Sequence, residues 1–458
     1  MMTFSNQLDD QERYRVILVM PFSRMVLAER HGKALRLPRI NIPKWTRPAE
    51  RLNEAVQAKW NIKSVIIDIL SKEESTVPCA VAEVSRHSCI SFANGFITVP
   101  VDDFDRQELT ATEHLTVRSI LAGNRRGGRP FSRLGWIDEA QHWIRESVRH
   151  HVVEFSEDIL QLNASANFAL VRFGTQEGPA YWLKATGMPN RHEYAVTTTL
   201  AEYFPDSLPP MVAAREDWNA WVTEEAGQPL CNCLTQRVLQ EAIRALAKLQ
   251  RQSTFRVGQL LAVGCFDGRI PVLRTHLSEL IDYLEESMEQ QTSLNVPRLH
   301  RNRLRELGSI LHDACSEMHE LGIPDSLILN DVNLGNILFD GSRCVFIDWA
   351  EACVGNPFLT CQQLFVGAVR SNGEACTWIH QLKAFYKAQW PDTACEAKLD
   401  RAFALAPLLT IVSYLYGRGD WLQSPRRYDL HFQSYSRSLA RHMDRAAQAP
   451  ELMEGLCH

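Results

Sequence analysis

The stretch LILNDVNLGNILFDGSRCVFIDW, residues 327–349, sets three aspartates and several asparagines into an otherwise apolar run. Buried acids and amides are costly unless they are paired or bound to a cation. The segment therefore asks what Asp331, Asn336 and Asp348 hold. Within it, ILFDGSRCVFI alternates across Asp340-Gly341, which predicts a tight β-hairpin. Closing that hairpin brings residues 336 and 348, just outside its two strands, together at its open end. Asp331 stands five residues before Asn336, on an irregular loop at the same end. Two carboxylates and an amide oxygen converging on one place form a ligand set for Mg2+ with one carboxylate to spare. The plainer alternative is that Asn and Asp cap the turns beside a hairpin.

Outward from this segment the chain is mostly helical after Thr235. TQRVLQEAIRALAKLQRQ, VLRTHLSELIDYLEESMEQ and RNRLRELGSILHDACSEMHELG follow one another, and in the last Leu304, Leu307, Leu311, Ala314 and Met318 share a stripe that Gly322 and Pro324 end. Before Thr235 the pattern is of strands. DILQLNASANFALVRFG (158–174) and AYWLKATG (180–187) predict three, NRHEYAVTTTLAEYF (190–204) a helix, and MVAA and WNAWVTEE two more strands before AGQPL breaks the pattern. Five strands with one helix, then a helical lobe holding one hairpin, make a two-lobed α+β architecture. Further upstream, AGNRRGGRPFSR (122–133), with three glycines, a proline and four arginines, predicts a linker. The module before it shows two strands (RVILVM, MVLAER), a helix (RPAERLNEAVQAKWNI) and two strands (SVIIDIL, CAVAEV). The expected domains are 10–121, a linker at 122–133, an amino-terminal lobe at 134–230 and a helical lobe at 231–458.

Composition narrows the classes. With 458 residues, 22% charged and a net charge of −5, the chain carries no footprint for nucleic acid or an anionic membrane surface. The amino terminus MMTFSNQLDDQER is polar and acidic, unlike a signal peptide. The longest apolar run, FALAPLLTIVSYLYG (403–417), contains Pro407 and is shorter than the ~20 residues a membrane span needs, so a buried helix is expected. The 12 cysteines show no zinc-type spacing beyond the isolated CNC at 231–233. Reduced thiols in a cytoplasmic protein are the expectation.

The segment at 327–349 resembles the aminoglycoside phosphotransferase family of kinase-like enzymes. The family's catalytic loop, His-Gly-Asp-x-x-x-x-Asn, is followed by a hairpin and Ile-Asp-Trp. Here stand Leu329-Asn330-Asp331, Asn336 and Ile347-Asp348-Trp349, with Gly355-Asn356-Pro357 where the family often has Gly-Asp-Pro. Over about 140–430 the resemblance implies a protein-kinase-like fold, ATP or GTP as phosphoryl donor with Mg2+, and a small-molecule hydroxyl as acceptor. It implies Asp331 as catalytic base and Asn336 and Asp348 as metal ligands, the division of labour of kinases generally.

The same resemblance asks the upstream lobe for a lysine on the phosphates and a glutamate to pin it. Lys184 ends the strand YWLK with apolar neighbours, although a solvated strand-end lysine fits the pattern too. Glu193 and Glu202, nine residues apart, lie ~180° around the next helix from each other. Glu193 shares the stripe of Val196, Leu200 and Tyr203 and is the expected partner, unless it serves a capping box with Asn190. The backbone from Glu224 to Ala226 is where the family binds adenine. Two departures stand out. Leu329 replaces a histidine that braces the loop, and the turn LNASANF (162–168) has no glycine, leaving Ser165 or Asn167 to donate to phosphates.

The amino-terminal module resembles a Nudix domain in element order and in the Leu37-Pro38 pair. Aligning the closing glycine of that family's signature with Asn61 puts Ala55, Ala58 and Lys59 where it carries metal-binding glutamates. The resemblance implies a Nudix shape without its hydrolytic chemistry, open to a protein or ligand partner. Only eight residues separate Asp348 from Pro357, too few for the activation segment of a protein kinase. Between 352 and 458 stand 11 Lys and Arg against 9 Asp and Glu, no acidic surplus for a polycationic acceptor. The expected function is an ATP-dependent small-molecule kinase, and the alternative is a catalytically silent nucleotide-binding scaffold.

Overall fold

The computed structural model describes residues 11–32, 34–44, 46–70, 77–85, 95–123, 130–391, 393–417 and 425–448. The chain forms two compact units, one of residues 1–194 and 211–225, the other of 195–210 and 226–458.

The first unit contains two sheets. Strands β1 (Gln11–Val19), β2 (Val26–His31), β3 (Ala34–Arg36), β4 (Arg39–Pro43), β5 (Ser64–Leu70), β6 (Cys79–Val84) and β7 (Phe96–Val99) make the first, with β1 parallel to β6 and antiparallel to β2 and β4. The alternation of β1 gives this sheet two apolar faces. Val16 and Leu18 pack with Leu52, Val56 and Trp60 of α1 (Pro48–Trp60), while Ile17 and Val19 pack with Val117 and Ile120 of α2 (Ala111–Ala122). Helix α1 ends on Asn61 in the left-handed conformation (φ 56°), and a Thr110–Glu113 capping box starts α2. The strands and helix expected for this module are present; β3, β4, β7 and α2 add to them.

The second sheet is antiparallel, in the order β11 (Met211–Arg215), β12 (Ala220–Glu224), β10 (Tyr181–Ala185), β9 (Ala169–Thr175), β8 (Phe155–Ala164). One face buries Phe173, Tyr181, Leu183 and Val222 against Trp136, Ala140 and Ile144 of α3 (Trp136–Ser147). The stretch expected as a linker is in part an element of this core: Phe131 is buried, with its ring centroid 5.1 Å from Trp136 and 5.5 Å from Trp218. Residues 124–129 of that stretch lie outside the described residues. Gln161 of β8 joins the two sheets. Its Oε1 accepts from Ile66 N (2.8 Å) and Asn53 Nδ2 (3.0 Å), and its Nε2 donates to Ile66 O (2.8 Å). The side chain completes backbone pairing at the β5 irregularity between Ile66 and Asp68. The module at 10–121 and the five-stranded sheet therefore share one compact unit.

The second unit holds most of α4 (Glu193–Tyr203), then β13 (Gln228–Pro229), α5 (Gln236–Ser253), α6 (Val257–Ala262), β14 (Phe266–Gly268), α7 (Ile270–Thr275), α8 (Leu277–Glu289) and α9 (Arg301–Glu320). Strands β15 (Ser326–Leu329), β16 (Ile337–Phe339), β17 (Cys344–Phe346) and β18 (Ala352–Gly355) precede α10 (Pro357–Ser371), α11 (Ile379–Lys387), α12 (Glu396–Gly417) and α13 (Leu430–Gln448). One apolar core runs through this unit, and the long run at 403–417 lies inside α12 with Phe403, Ala406, Leu409 and Val412 buried. That helix is long and apolar enough to cross a membrane, yet 72% of its apolar window is buried in the protein.

Candidate active site

Strand β15 pairs with β18 from Leu329↔Ala352 to Ser326↔Gly355, which fixes both ends of the segment at 327–355. Between them Asn333 Oδ1 accepts from Gly335 N (2.8 Å) and Asn336 N (3.1 Å), an Asx turn that shapes the loop. Asn336 Nδ2 donates to Asp331 O at 3.3 Å, leaving Oδ1 as the oxygen a cation can use. The hairpin β16–β17 turns on Asp340, whose Oδ1 accepts from Ser342 N (2.8 Å) and Arg343 N (2.9 Å). The Arg343 backbone N–H above all, with the Ser342 donors, holds its carboxyl down at about 2. Gly341 follows at φ 100°. At the open end Ile347 N donates to Asn336 O (3.0 Å), which places Asn336 beside the residue preceding Asp348. Asp348 has φ 66° and ψ 70°, a conformation costly for a side chain and concentrated at ligand sites.

The donor chemistry suits a hard cation. Among the described residues no three His, Cys, Asp or Glu cluster as a dedicated cage. Asp348 and the Asn336 amide oxygen are instead a sparse oxygen set whose chemistry fits Mg2+ with water and phosphate oxygens completing its shell.

The loop is braced from α10 and α12. Leu329, in the place of the family's histidine, is buried, and Thr360 Oγ1 accepts from Leu329 N (3.2 Å) and donates to Leu329 O (3.3 Å). Asn330 is buried as well, with its N donating to Glu351 O (3.2 Å), its Nδ2 to Cys353 Sγ (3.0 Å) and Ser413 Oγ donating to its Oδ1 (3.4 Å). The motif reading did not include Thr360. Its place four residues after Asn356, the N-cap of α10, is the signal that was available.

In the first unit, alternation along β10 puts Lys184 on the sheet face opposite Tyr181 and Leu183. Lys184 Nζ lies 2.5 Å from Glu193 Oε1, with side-chain exposures of 15% and 1%, and 5.7 Å from the Trp221 ring centre. Glu202 is exposed. In the β8–β9 turn Ser165 Oγ accepts from Phe168 N (3.1 Å), so that hydroxyl first closes the turn. Asn167 packs on Gly187, where a Cβ would lie 2.8 Å from the Asn167 Cβ; the glycine this turn requires thus sits after β10. Glu224 ends β12 opposite Tyr181, Glu225 is held by Arg172 (2.7 Å), and at Ala226 the chain enters the second unit.

Asp331 lines a cavity of about 750 Å3 in the second unit. Three helices each turn one face to it: Gln363, Gly367 and Arg370 from α10; Pro407, Ile411 and Tyr414 from α12; Tyr435, Leu439 and His442 from α13. Tyr435 Oη donates to Tyr414 Oη at 3.4 Å. In the first unit Ala55, Ala58 and Lys59 line a separate hollow with Arg13 and Arg39, and among the described residues no carboxylate lines it.

Residues 220–359 match the model of the phosphotransferase enzyme family. No curated protein matches the chain. Among solved structures, similar ones include a Plasmodium vivax ethanolamine kinase, at 14% identity over 62% of this chain and 81% of that one with a TM-score of 0.41. A choline kinase from Cryptosporidium parvum shares 9% identity over 70% of this chain and 97% of that one, with a TM-score of 0.45. An aminoglycoside phosphotransferase from Alicyclobacillus acidocaldarius shares 16% over 66% and 95% respectively, with a TM-score of 0.38.

Proposed function

We propose that this chain, a member of the phosphotransferase enzyme family over residues 220–359, moves a phosphoryl group from ATP or GTP to a hydroxyl of a small molecule. The observation that carries the reading is the loop itself: Asp331 lines a cavity of about 750 Å3 while its backbone carbonyl is tied to Asn336, next to the strand that delivers Asp348.

Asp331 accepts the proton of the acceptor hydroxyl. The hydroxyl oxygen forms its new bond to the terminal phosphorus, the bond from that phosphorus to the bridging oxygen breaks, and the nucleoside diphosphate leaves with the electron pair. Asn336 Oδ1 and Asp348 would hold Mg2+, which when bound offsets charge on the phosphates. Lys184, fixed by Glu193, contributes its ammonium to the phosphate oxygens. Ser165, Asn167 and the backbone of Glu224 and Ala226 complete the nucleotide contacts. The module at 10–121, Nudix-like in element order, has no carboxylate at Ala55, Ala58 or Lys59. It serves binding or support rather than hydrolysis, and the protein works in the cytoplasm.

The test is consumption of ATP by the full-length protein with Mg2+ against a panel of hydroxyl compounds, with the phosphorylated product identified by mass. Absence of both nucleotide binding and transfer would overturn the reading.

A further inference from the structure

We propose that the acceptor carries an anionic group, a carboxylate or a phosphate, beside the hydroxyl it presents to Asp331, and that Arg370 and His442 receive that group. The proposal rests on the functional reading above and adds the charge of the substrate to it.

Among the described residues Asp331 is the one acidic residue lining the cavity, and Arg370 and His442 are its basic ones. They reach it from two different helices, α10 and α13. Several arginines of this unit sit on carboxylates: Arg303 on Asp444, Arg401 on Glu317, Arg427 on Glu286, and Arg301 and Arg305 on Glu285. Arg370 has no such partner among the described residues. Its guanidinium is thus left to a ligand, and its planar fork suits a carboxylate or phosphate. Burial first, then Arg445 and Arg370, pull His442 below the usual imidazole range, which registers a positive field on that wall with no carboxylate offsetting it.

A second observation marks the cavity as a built site. Gln362 lines it at 4% exposure, and its Oε1 has no hydrogen-bond partner. Buried acceptors are normally satisfied, so this one calls for a donor, which a polyol hydroxyl supplies. A cationic acceptor would meet the Arg370 guanidinium with only the Asp331 carboxylate in return. The pair Tyr414 and Tyr435 gives an apolar wall for the carbon skeleton.

Four six-carbon polyols decide the matter: gluconate and glucose 6-phosphate as anions, glucose as the neutral member and glucosamine as the cation. Binding is read by thermal shift of the full-length protein with Mg-ADP, and transfer by ADP release with Mg-ATP. Either anion or both should bind at least about ten-fold tighter than glucose, as charge-assisted hydrogen bonds allow. Glucosamine should bind least. Which anion wins separates a carboxylate site from a phosphate site. Arg370→Ala should bring the ratio of anion to glucose close to one, Arg370→Lys should restore part of it, and Arg370→Glu should reverse the order toward glucosamine. Arg370 is exposed at the end of α10, so an unchanged melting temperature without sugar checks that these variants fold. Equal or better binding of glucose or glucosamine by the wild type, binding of neither anion, or a preference that survives Arg370→Ala would overturn the proposal. Anion binding that depends on Arg370 without transfer to any hydroxyl would instead sink the kinase reading and leave the anion site standing.

Discussion

The pair Lys184–Glu193 gives the sharpest energetic prediction, because its two members differ in burial. Glu193 keeps 1% of its side chain exposed and Lys184 keeps 15%. Removing one member of a buried pair leaves the other charge unmatched, at a cost of about 3–5 kcal/mol. Lys184→Met takes the ammonium from a carboxylate that water does not reach, so its cost belongs at the upper end. Glu193→Gln takes one carboxylate from an ammonium that can shift toward solvent and still sees the Trp221 ring, 5.7 Å away. Cation–π contact and residual solvation return ~1 kcal/mol or more, which puts this variant at about 3 kcal/mol, the lower end of that range. Lys184→Met with Glu193→Gln leaves two neutral groups and should cost less than Lys184→Met alone. The cycle should show coupling of ~2 kcal/mol or more. Read as melting temperature in a nucleotide-free scan, each kcal/mol moves the first transition by ~2–4 °C for a unit of this size. Additive losses, or a Glu193→Gln effect larger than that of Lys184→Met, would refute the reasoning.

Four further outcomes follow from the same geometry. Asp331→Asn keeps the side-chain size but removes most of its basicity, so turnover should fall by ~10²–10⁴ while the Kd for ATP stays within about a factor of two or three; unchanged turnover would remove Asp331 from the role of base. Mg-ATP at ~100 times its Kd should add about 2.7 kcal/mol of stability, and ATP with EDTA much less, because Asn336 and Asp348 act on the phosphates through the ion; equal shifts by calorimetry would contradict that. At the hairpin tip, the folded Asp340 carboxyl lies at about 2, below its ordinary 3.8, so its contribution is present above about pH 4 and is lost as pH falls toward 2; with its side chain 35% exposed it is worth ~1 kcal/mol or less, and urea midpoints of Asp340→Ala at pH 5 and pH 3 should differ by less than those of the wild type. The full-length protein with Mg2+ should hydrolyse no nucleoside diphosphate derivative at the hollow of Arg13, Arg39 and Lys59; hydrolysis that survives Asp331→Asn would show otherwise.

Local chemistry made the segment at 327–349 readable. Asp340-Gly341 flanked by alternating residues leaves a hairpin as the economical solution, and residues 336 and 348 then converge without help from the rest of the chain. Helical phase alone set Glu193 apart from Glu202. What escaped depended on distant partners. A glutamine inside β8 looks like a solvated edge residue until the irregularity at Ile66 and Asp68 offers it a backbone donor and acceptor. That single side chain ties together sheets expected as separate domains. Helix α3 was readable, since Trp136, Ile137, Ala140 and Ile144 keep one face, but it follows a stretch whose glycines and arginines suggested a linker. The cavity was not readable, because it needs faces of three helices separated by up to 80 residues of chain, about a third of the span of the helical part. Periodicity identifies the face of a helix that is buried, not the neighbour it turns to.

The replacement of the loop histidine by Leu329 bears most directly on whether the site is active or silent. A histidine in that place braces the loop by hydrogen bonding, and its loss would matter if nothing else fixed the backbone. Here Thr360 both accepts from Leu329 N and donates to Leu329 O, and the leucine side chain joins the apolar core. Asn330, where the family has glycine, adds bonds to Glu351 O, Cys353 Sγ and Ser413 Oγ. A side chain there is tolerated because Gly417 of α12 yields the space: a Cβ at 417 would lie 1.8 Å from Asn330 Nδ2. Leu329, Asn330, Thr360 and Gly417 thus act as one interdependent set, and a loop left to drift after losing its function would have no need of them. Thr360→Val should therefore lower turnover with little change in ATP affinity, and Gly417→Ala should do the same through Asn330. Normal turnover in both variants would mean that the loop holds its shape by other means and that the bracing network is incidental.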